Sequence, residues 1–224
     1  MSKKKKILLS IAIVFFGILI SYQFVGSKGY LKVYKIPTTA SSPTLEPGDY
    51  ILVSNLVPTK NNDYVVFKRF DENFGMGNYV FRMIAKEGDT LSIINGATFV
   101  NNVNTDKDIR TKHAYKMHKD VLNKQRFLQE NNDYYQISND SIFIFLEDQI
   151  AKSISKKVIK ADAISPKKVH ETFPEEWNSY TFGPLIIPEN TFFVMGDNRD
   201  NAMDSRFIGL IDQNNYVGKA INVN

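Results

Sequence analysis

The chain opens on a run of positions without charge from Ile7 to Ser27, whose central part, Ile7 to Val25, reads ILLSIAIVFFGILISYQFV. Nineteen helical residues rise about 28 Å, close to the thickness of a bilayer's hydrocarbon core. No polar face interrupts the run, unlike the one-sided stripe of a helix packed on a soluble core. Lys3 to Lys6 precede it, and Tyr22 and Phe24 stand near its far end. The basic cluster predicts a cytoplasmic N-terminus and the aromatic rings suit the opposite interface. A single-pass transmembrane helix is therefore expected, with everything after about residue 28 on the outer side. The competing reading is a cleavable signal sequence, with Val25-Gly26-Ser27 as its small-residue site.

From Tyr30 onward the pattern changes to short runs of β-branched and aromatic residues. They fall at Leu31–Ile36, Tyr50–Val53, Tyr64–Phe67, Tyr79–Ile84, Thr90–Ile94 and Thr191–Met195. Turn-forming triplets separate them, among them Pro47-Gly48-Asp49 and Glu87-Gly88-Asp89. Asn95-Gly96 between Leu91–Ile94 and Ala97–Val100 predicts a hairpin, because its turn requires positive φ at both central residues. Residues 101–177 differ in character, being rich in Asn, Asp and Lys, with one apolar segment at Ser141–Leu146 and a short helix expected near Asp120–Glu130. The predicted organisation is a basic tail (1–6), an anchor (7–27), a mostly β, antiparallel core (28–100 and 178–224), and an inserted surface subdomain (101–177).

Composition narrows the function classes. Hydrophobic and charged fractions of 43% and 23% are those of a globular protein. The net charge is +4, and four positive charges sit in Lys3–Lys6, so no nucleic-acid partner is indicated. The absence of cysteine excludes a disulfide framework, a thiolate zinc site and a cysteine nucleophile. Of the three histidines, His113 and His118 lie in a lysine-rich polar stretch and read, with His170, as solvated surface residues rather than metal ligands. No phosphate-binding loop or dinucleotide fingerprint is present, and neither metal nor cofactor is expected.

Three segments carry chemistry. The first is Ile36-Pro37-Thr38-Thr39-Ala40-Ser41-Ser42-Pro43-Thr44-Leu45-Glu46-Pro47-Gly48-Asp49. The second is Tyr79-Val80-Phe81-Arg82-Met83-Ile84-Ala85-Lys86-Glu87-Gly88-Asp89, and the third is Gly196-Asp197-Asn198-Arg199-Asp200-Asn201-Ala202-Met203-Asp204-Ser205-Arg206. In this order, after an apolar anchor, they resemble the conserved boxes of type I signal peptidases, the serine–lysine peptidases of family S26. The resemblance covers roughly half the chain and leaves out the middle insertion. It implies a signal-peptidase-like antiparallel β-sheet core and processing of exported preproteins at the cytoplasmic membrane.

That family uses a serine nucleophile, with a lysine desolvated enough to accept its proton. Counting back from Pro43 places the nucleophile at Ala40, and counting back from Arg82 places the general base at Phe81. Alanine has no proton to lose and phenylalanine accepts none, so both halves of the dyad are missing. Thr38 occupies the hydroxyl position of the oxyanion hole. The resemblance puts Ile36, Pro37, Leu45, Tyr79 and Val80 along the peptide groove. It makes Arg82, Asp197, Asn198, Arg199, Asp204, Ser205 and Arg206 a buttress, with Asp204 and Arg206 expected to bond Arg82 or the backbone near residue 81. Ser41 and Ser42 are poor substitutes, since one step along an extended chain turns a side chain to the other face; Lys86, five residues past Phe81, faces the opposite side by the same parity, and Lys68 sits on a different strand.

The expected protein is thus a catalytically inactive homologue that binds exported preproteins or signal peptides, contacts membrane lipid, and works with an active paralogue or another envelope protein. Two alternatives stand beside it. One is an active signal peptidase, with Ala40 engineered or its catalytic residues relocated. The other is an envelope scaffold that uses residues 101–177 as its contact surface.

Overall fold

The computed structural model describes residues 2–27, 30–154, 158–161 and 166–223, with the side chains of 21–27 and of 131 outside the description. Helix α1 (Lys3–Ser27) comes first, and its large apolar side chains from Ile7 to Ile20 are exposed all around it. Among the described residues no helix is long and apolar enough to cross a membrane. Up to Ile20 the helix consists of the four lysines followed by uncharged positions, and the expected span runs on to residues whose side chains lie outside the description. The Val25-Gly26-Ser27 site lies there too.

The rest of the described residues build three antiparallel sheets. The largest has seven strands in the order β1-β2-β15-β3-β4-β13-β14. It comprises β1 (Lys32–Lys35), β2 (Tyr50–Ser54), β3 (Tyr64–Asp71), β4 (Gly75–Lys86), β13 (Thr191–Met195), β14 (Ile211–Asp212) and β15 (Tyr216–Ala220). Both faces of its centre are covered. Along β3, Val65 and Phe67 enter one apolar cluster with Phe81, Met83, Phe192 and Val194, while Tyr64 and Val66 enter another with Ile36, Leu45, Ile51 and Val53. That alternation is the strand's two-residue period, and coverage on both faces explains why Tyr64–Phe67 reads as an unbroken apolar run. Beyond it, β3 and β4 continue as a two-stranded ribbon to a turn at 71–75, longer than the apolar pattern alone marks.

A second sheet, in the order β12-β5-β6-β7, holds β5 (Thr90–Ile94), β6 (Ala97–Val100), β7 (Val103–Asn104) and β12 (Phe182–Ile186). The β5–β6 hairpin turns at Asn95 and Gly96 with φ of 51° and 77°, as the dipeptide predicts. Its inner face and that of β13 bury Leu91, Ile93, Val100, Phe182, Phe193 and Met195 together. Val169 and Phe173 complete that cluster and Trp177 packs on it, so the last part of 101–177 is folded into the core.

The third sheet, β11-β8-β10-β9, is the satellite unit, made of β8 (Lys112–His118), β9 (Tyr134–Gln136), β10 (Ser141–Glu147) and β11 (Ile159–Lys160). Helices α2 (Lys119–Asn123), α3 (Arg126–Asn131) and α4 (Asp148–Ile154) cover one face, and Leu122, Leu128, Ile144, Leu146 and Ala151 form its own core. The single helix expected near Asp120–Glu130 is two, broken at Gln125, whose φ of −128° and ψ of 71° are not helical. His113 overturns another expectation. It is 5% exposed rather than solvated, because β8 points it inward where Nδ1 meets Asp148 Oδ1 at 2.8 Å. Burial holds its pKa below the usual histidine value, against the pull of Asp148.

Candidate functional site: a cleft floored by Ala40 and Phe81

Between the segment Tyr34–Ser41 and the stretch Asn78–Phe81 of β4 runs a cleft of about 460 Å³, closed at one side by Asn201 and Met203. One edge of Asn78–Phe81 is hydrogen-bonded to β3, while β13 joins β4 only from Arg82 onward. The other edge of that stretch therefore faces the cleft. Ala40 lies on a single 3₁₀ turn, Thr39–Ser41, and packs against the cluster containing Phe81. Phe81 is 5% exposed, its ring tilted against Phe67 with centroids 6.2 Å apart.

Ala40 and Phe81, forty-one residues apart, are brought together by Gly196. A β-carbon there would stand 2.4 Å from the Ala40 carbonyl oxygen, 2.4 Å from Ala202 Cβ and 3.3 Å from the Phe81 ring. Only glycine lets the β13 end come this close. The following loop then grips the turn. Asn198 N–H donates to the Ala40 carbonyl (3.1 Å), Asn198 Nδ2 to the Thr39 carbonyl (3.1 Å), and Asn201 Nδ2 to Thr39 Oγ1 (3.1 Å).

Beneath the turn lies a buried polar network centred on Asp197. Arg82 donates to it twice, Nε to Oδ1 at 2.8 Å and an Nη to Oδ2 at 2.6 Å, and the hydroxyls of Tyr64 and Thr44 donate to Oδ2 at 2.6 Å each. The fully buried carboxylate is thus satisfied by a bidentate ion pair and two hydroxyls. The guanidinium lies over the Tyr64 ring, 4.4 Å from its centroid. Burial and the Asp197 charge push the Tyr64 hydroxyl far above its usual pKa; for Arg82, burial is outweighed by Asp197, which raises it.

The second buttress forms among its own residues. Asp204 receives Arg206 through both carboxylate oxygens (2.9 Å each) and the Gly196 N–H (3.1 Å), and Arg206 also donates to the Arg199 carbonyl. Ser205 Oγ accepts the Val194 N–H at 3.0 Å. Arg82 is therefore bound by Asp197 and not by Asp204 or Arg206, a correction to the expected partner. The reason is register: Arg82 pairs with Met195 on β13, two residues short of Asp197. Arg199 turns away from the cleft to Asp106 (2.6 and 2.9 Å) and Thr98 (2.7 Å). Burial works against the Asp106 carboxylate, but Arg199 outweighs it and holds the pKa below the usual range.

Of the expected groove residues, Ile36, Pro37, Tyr79 and Val80 line the cleft, together with Thr38, Ala40 and Phe81. Leu45 does not. It is 4% exposed and turned into the core with Ile51 and Val53. The neighbouring serines are committed elsewhere, Ser41 Oγ to the Val80 carbonyl (3.1 Å) and Ser42 Oγ to Glu46 (2.5 Å). Lys68 and Lys86 do not line the cleft; Lys35 does, but its ammonium stands over the Tyr50 ring, 6.0 Å from the centroid. Tyr64, Thr44, Asp106 and Thr98 were not foreseen, since each reaches its partner across about a hundred residues or more.

The model of the family described as signal peptidase, peptidase S26, matches residues 6–223. Signal peptidase I of Buchnera aphidicola subsp. Baizongia pistaciae is 29% identical over 222 residues, covering 84% of this chain and 67% of that protein. Signal peptidase I of Aquifex aeolicus is 29% identical over 198 residues, covering 84% and 73%. A solved signal peptidase I from Enterococcus faecalis V583 aligns with 74% of this chain and 98% of its own at 18% identity, with a TM-score of 0.35. With its family match running from residue 6 to residue 223, the chain belongs to the signal peptidase family, peptidase S26.

Proposed function

We propose that this chain is a membrane-anchored signal peptidase homologue that binds extended segments of exported preproteins without cutting them. The observation that carries the reading is the pair at the foot of the cleft, a methyl group at Ala40 and a phenyl ring at Phe81. A serine–lysine peptidase needs a hydroxyl and an unprotonated amine at these two places. Here neither side chain can give or take a proton, and both nearby serine hydroxyls donate elsewhere.

Binding has more support than cleavage. An extended peptide can add to the edge of Asn78–Phe81 opposite β3 by main-chain hydrogen bonding, sharing the Val80 carbonyl with Ser41 Oγ, with alternate side chains entering the cleft. The Ala40 N–H and the Thr38 hydroxyl suit a peptide carbonyl at the cleft floor. Without a nucleophile that carbonyl is held rather than attacked. In this reading α1 is the single anchor, with Lys3–Lys6 on the cytoplasmic side and the β domain outside.

The test pairs two assays on the purified full chain in detergent. A photo-crosslinking group at Val80 is expected to capture a peptide carrying Ala-x-Ala, with competition by the unlabelled peptide, while a preprotein incubated with the same material stays intact. Cleavage that tracks the protein through purification overturns the inactive reading. Absence of any competable crosslink overturns the binding reading and leaves a scaffold role.

A further inference from the structure

His113 stands near the start of β8, between two residues that hold the loop bordering the cleft. The main chain of Lys112 donates to the Asp197 carbonyl and accepts from the Arg199 N–H, both at 2.8 Å. On the other side the Ala114 N–H donates to Asp200 Oδ2 at 2.7 Å. That loop in turn holds the turn at the cleft floor, through Asn198 on the Thr39 and Ala40 carbonyls and Asn201 on Thr39 Oγ1. Two successive sets of hydrogen bonds therefore connect the neighbours of His113 to Ala40.

The ring is placed for one protonation state. Its Nδ1 meets Asp148 Oδ1 at 2.8 Å, and Asp148 also accepts from the Tyr115 hydroxyl (2.7 Å) and the Lys160 ammonium (3.3 Å). A carboxylate only accepts, so Nδ1 carries the proton of the neutral ring and Nε2 its lone pair. Nε2 is buried and meets no hydrogen-bond partner among the described residues. A second proton there makes a buried cation with an unused donor. Burial weighs most against that proton; Asp148 favours it, while the Lys160 and Arg199 cations oppose it. His113 also lines a cavity of about 390 Å³, across which stand Asp106, Lys107, Arg110 and Glu147. Arg199 engages Asp106 and Arg110 engages Glu147, which leaves Lys107 as a further cation. Lys107 and Arg110 are exposed, so the cavity offers a charged ring the water that its present site denies it.

We propose that His113 is an acid-sensitive latch between the satellite sheet and the cleft. Proton uptake at Nε2 turns the ring out towards the cavity, and Lys112 and Ala114 on either side shift with it. Their hold on residues 197–200 loosens, Asn198 and Asn201 slacken on the turn, and a polypeptide lying across Ala40 is released. The inference rests on the peptide-binding reading of the cleft. Neutral His113 belongs to the closed arrangement and charged His113 to the loosened one. Lower pH therefore shifts the population towards release, by at most about tenfold per pH unit for one proton.

The test measures affinity by fluorescence anisotropy on the full-length protein in detergent. The probe is a terminally blocked Ala-x-Ala peptide without titratable groups, carrying a dye insensitive to pH. Its dissociation constant is expected to rise several-fold from pH 7.5 to pH 5. His113→Asn keeps an amide donor for Asp148 and does not titrate. It should bind like the wild type at pH 7.5 and show no rise at pH 5, whereas His118→Asn and His170→Asn should keep the rise. Hydrogen exchange on the wild type gives a second reading without any substitution. After correction for intrinsic rates, segments 112–118 and 196–201 should lose protection at pH 5 while β3 keeps it. Equal affinity at the two pH values overturns the latch alone, as does an equal rise in His113→Asn or unchanged protection at 196–201. Loss of protection in β3 as well marks general unfolding and overturns it too. No binding at pH 7.5 overturns the binding reading, and the release step falls with it.

Discussion

Asp197 and Arg82 form a bidentate ion pair at 2.8 and 2.6 Å directly under the turn that carries Ala40, and Tyr64 and Thr44 complete the shell of the carboxylate. Removing one partner of such a pair leaves a buried charge without compensation, typically at a cost of about 3–5 kcal/mol. Asp197→Ala is therefore expected to destabilise the β domain by about that amount, and Asp197→Asn by less, since the amide oxygen still accepts one hydrogen bond. Urea unfolding of the detergent-solubilised protein measures both. A loss below about 1 kcal/mol for Asp197→Ala would show that the network adds little to the fold.

The pair at positions 40 and 81 makes a graded prediction. Ala40→Ser alone gives a hydroxyl without a base, and no preprotein cleavage is expected from it. Phe81→Lys alone places an amine at a 5% exposed site, exchanging an aromatic contact with Phe67 for a desolvated group, and should lower stability by several kcal/mol. The double variant Ala40→Ser with Phe81→Lys supplies both halves and is the one expected to cut above background. Cleavage by Ala40→Ser alone would reveal a base elsewhere.

Gly196 offers a probe of the cleft that leaves its lining intact. The β-carbon of Gly196→Ala would meet the Ala40 carbonyl oxygen and Ala202 Cβ, both at 2.4 Å, so the turn has to move. Overpacking of this kind costs about 1–3 kcal/mol. Peptide capture at Val80 should fall several-fold while the circular dichroism spectrum is retained. Unchanged capture would mean that the position of the turn does not govern binding.

Acid should loosen the satellite unit through His113 and Asp148. Burial depresses the His113 pKa, so below its unfolded value of about 6.5 the unfolded chain takes up the proton more readily and stability falls with pH. For Asp148, burial acts upward but His113, Tyr115 and Lys160 outweigh it and lower its pKa. Its contribution, present above the unfolded carboxylate value of about 3.9, is lost further into acid. Between pH 7.5 and 5 the urea midpoint should drop, and His113→Asn should flatten that slope. An equal slope in the variant would assign the acid sensitivity to other groups.

Local chemistry made much of this structure readable. Asn95-Gly96 dictates its own turn, and Thr90–Ile94, Ala97–Val100 and Thr191–Met195 end where their turn residues stop them. The resemblance of two linear segments to the family's boxes is what marks Ile36, Pro37, Thr38, Ala40, Tyr79, Val80 and Phe81, all of which line the cleft. What was hidden depends on distance along the chain. Leu45 sits within the same segment as Ala40, yet whether it turns to the cleft or to Ile51 is decided by packing. Burial of His113 comes from α4 closing over β8, and nothing in a lysine-rich neighbourhood reports it. The ribbon beyond Phe67 escaped because its residues answer to no buried face, and the break at Gln125 because both halves favour helix.

The main chain of Lys112, the first residue of the satellite sheet, donates to the Asp197 carbonyl and accepts from the Arg199 N–H, both at 2.8 Å, and Ala114 N–H donates to Asp200 at 2.7 Å. The satellite is thus sewn by its backbone to the very loop that clasps Ala40. Excising 101–177 as a block would cut this seam, take Asp106 from Arg199, and strip Val169 and Phe173 from the core. A surgeon wanting the satellite's partners without wounding the cleft must operate between Lys116 and Lys160, outside the stitches.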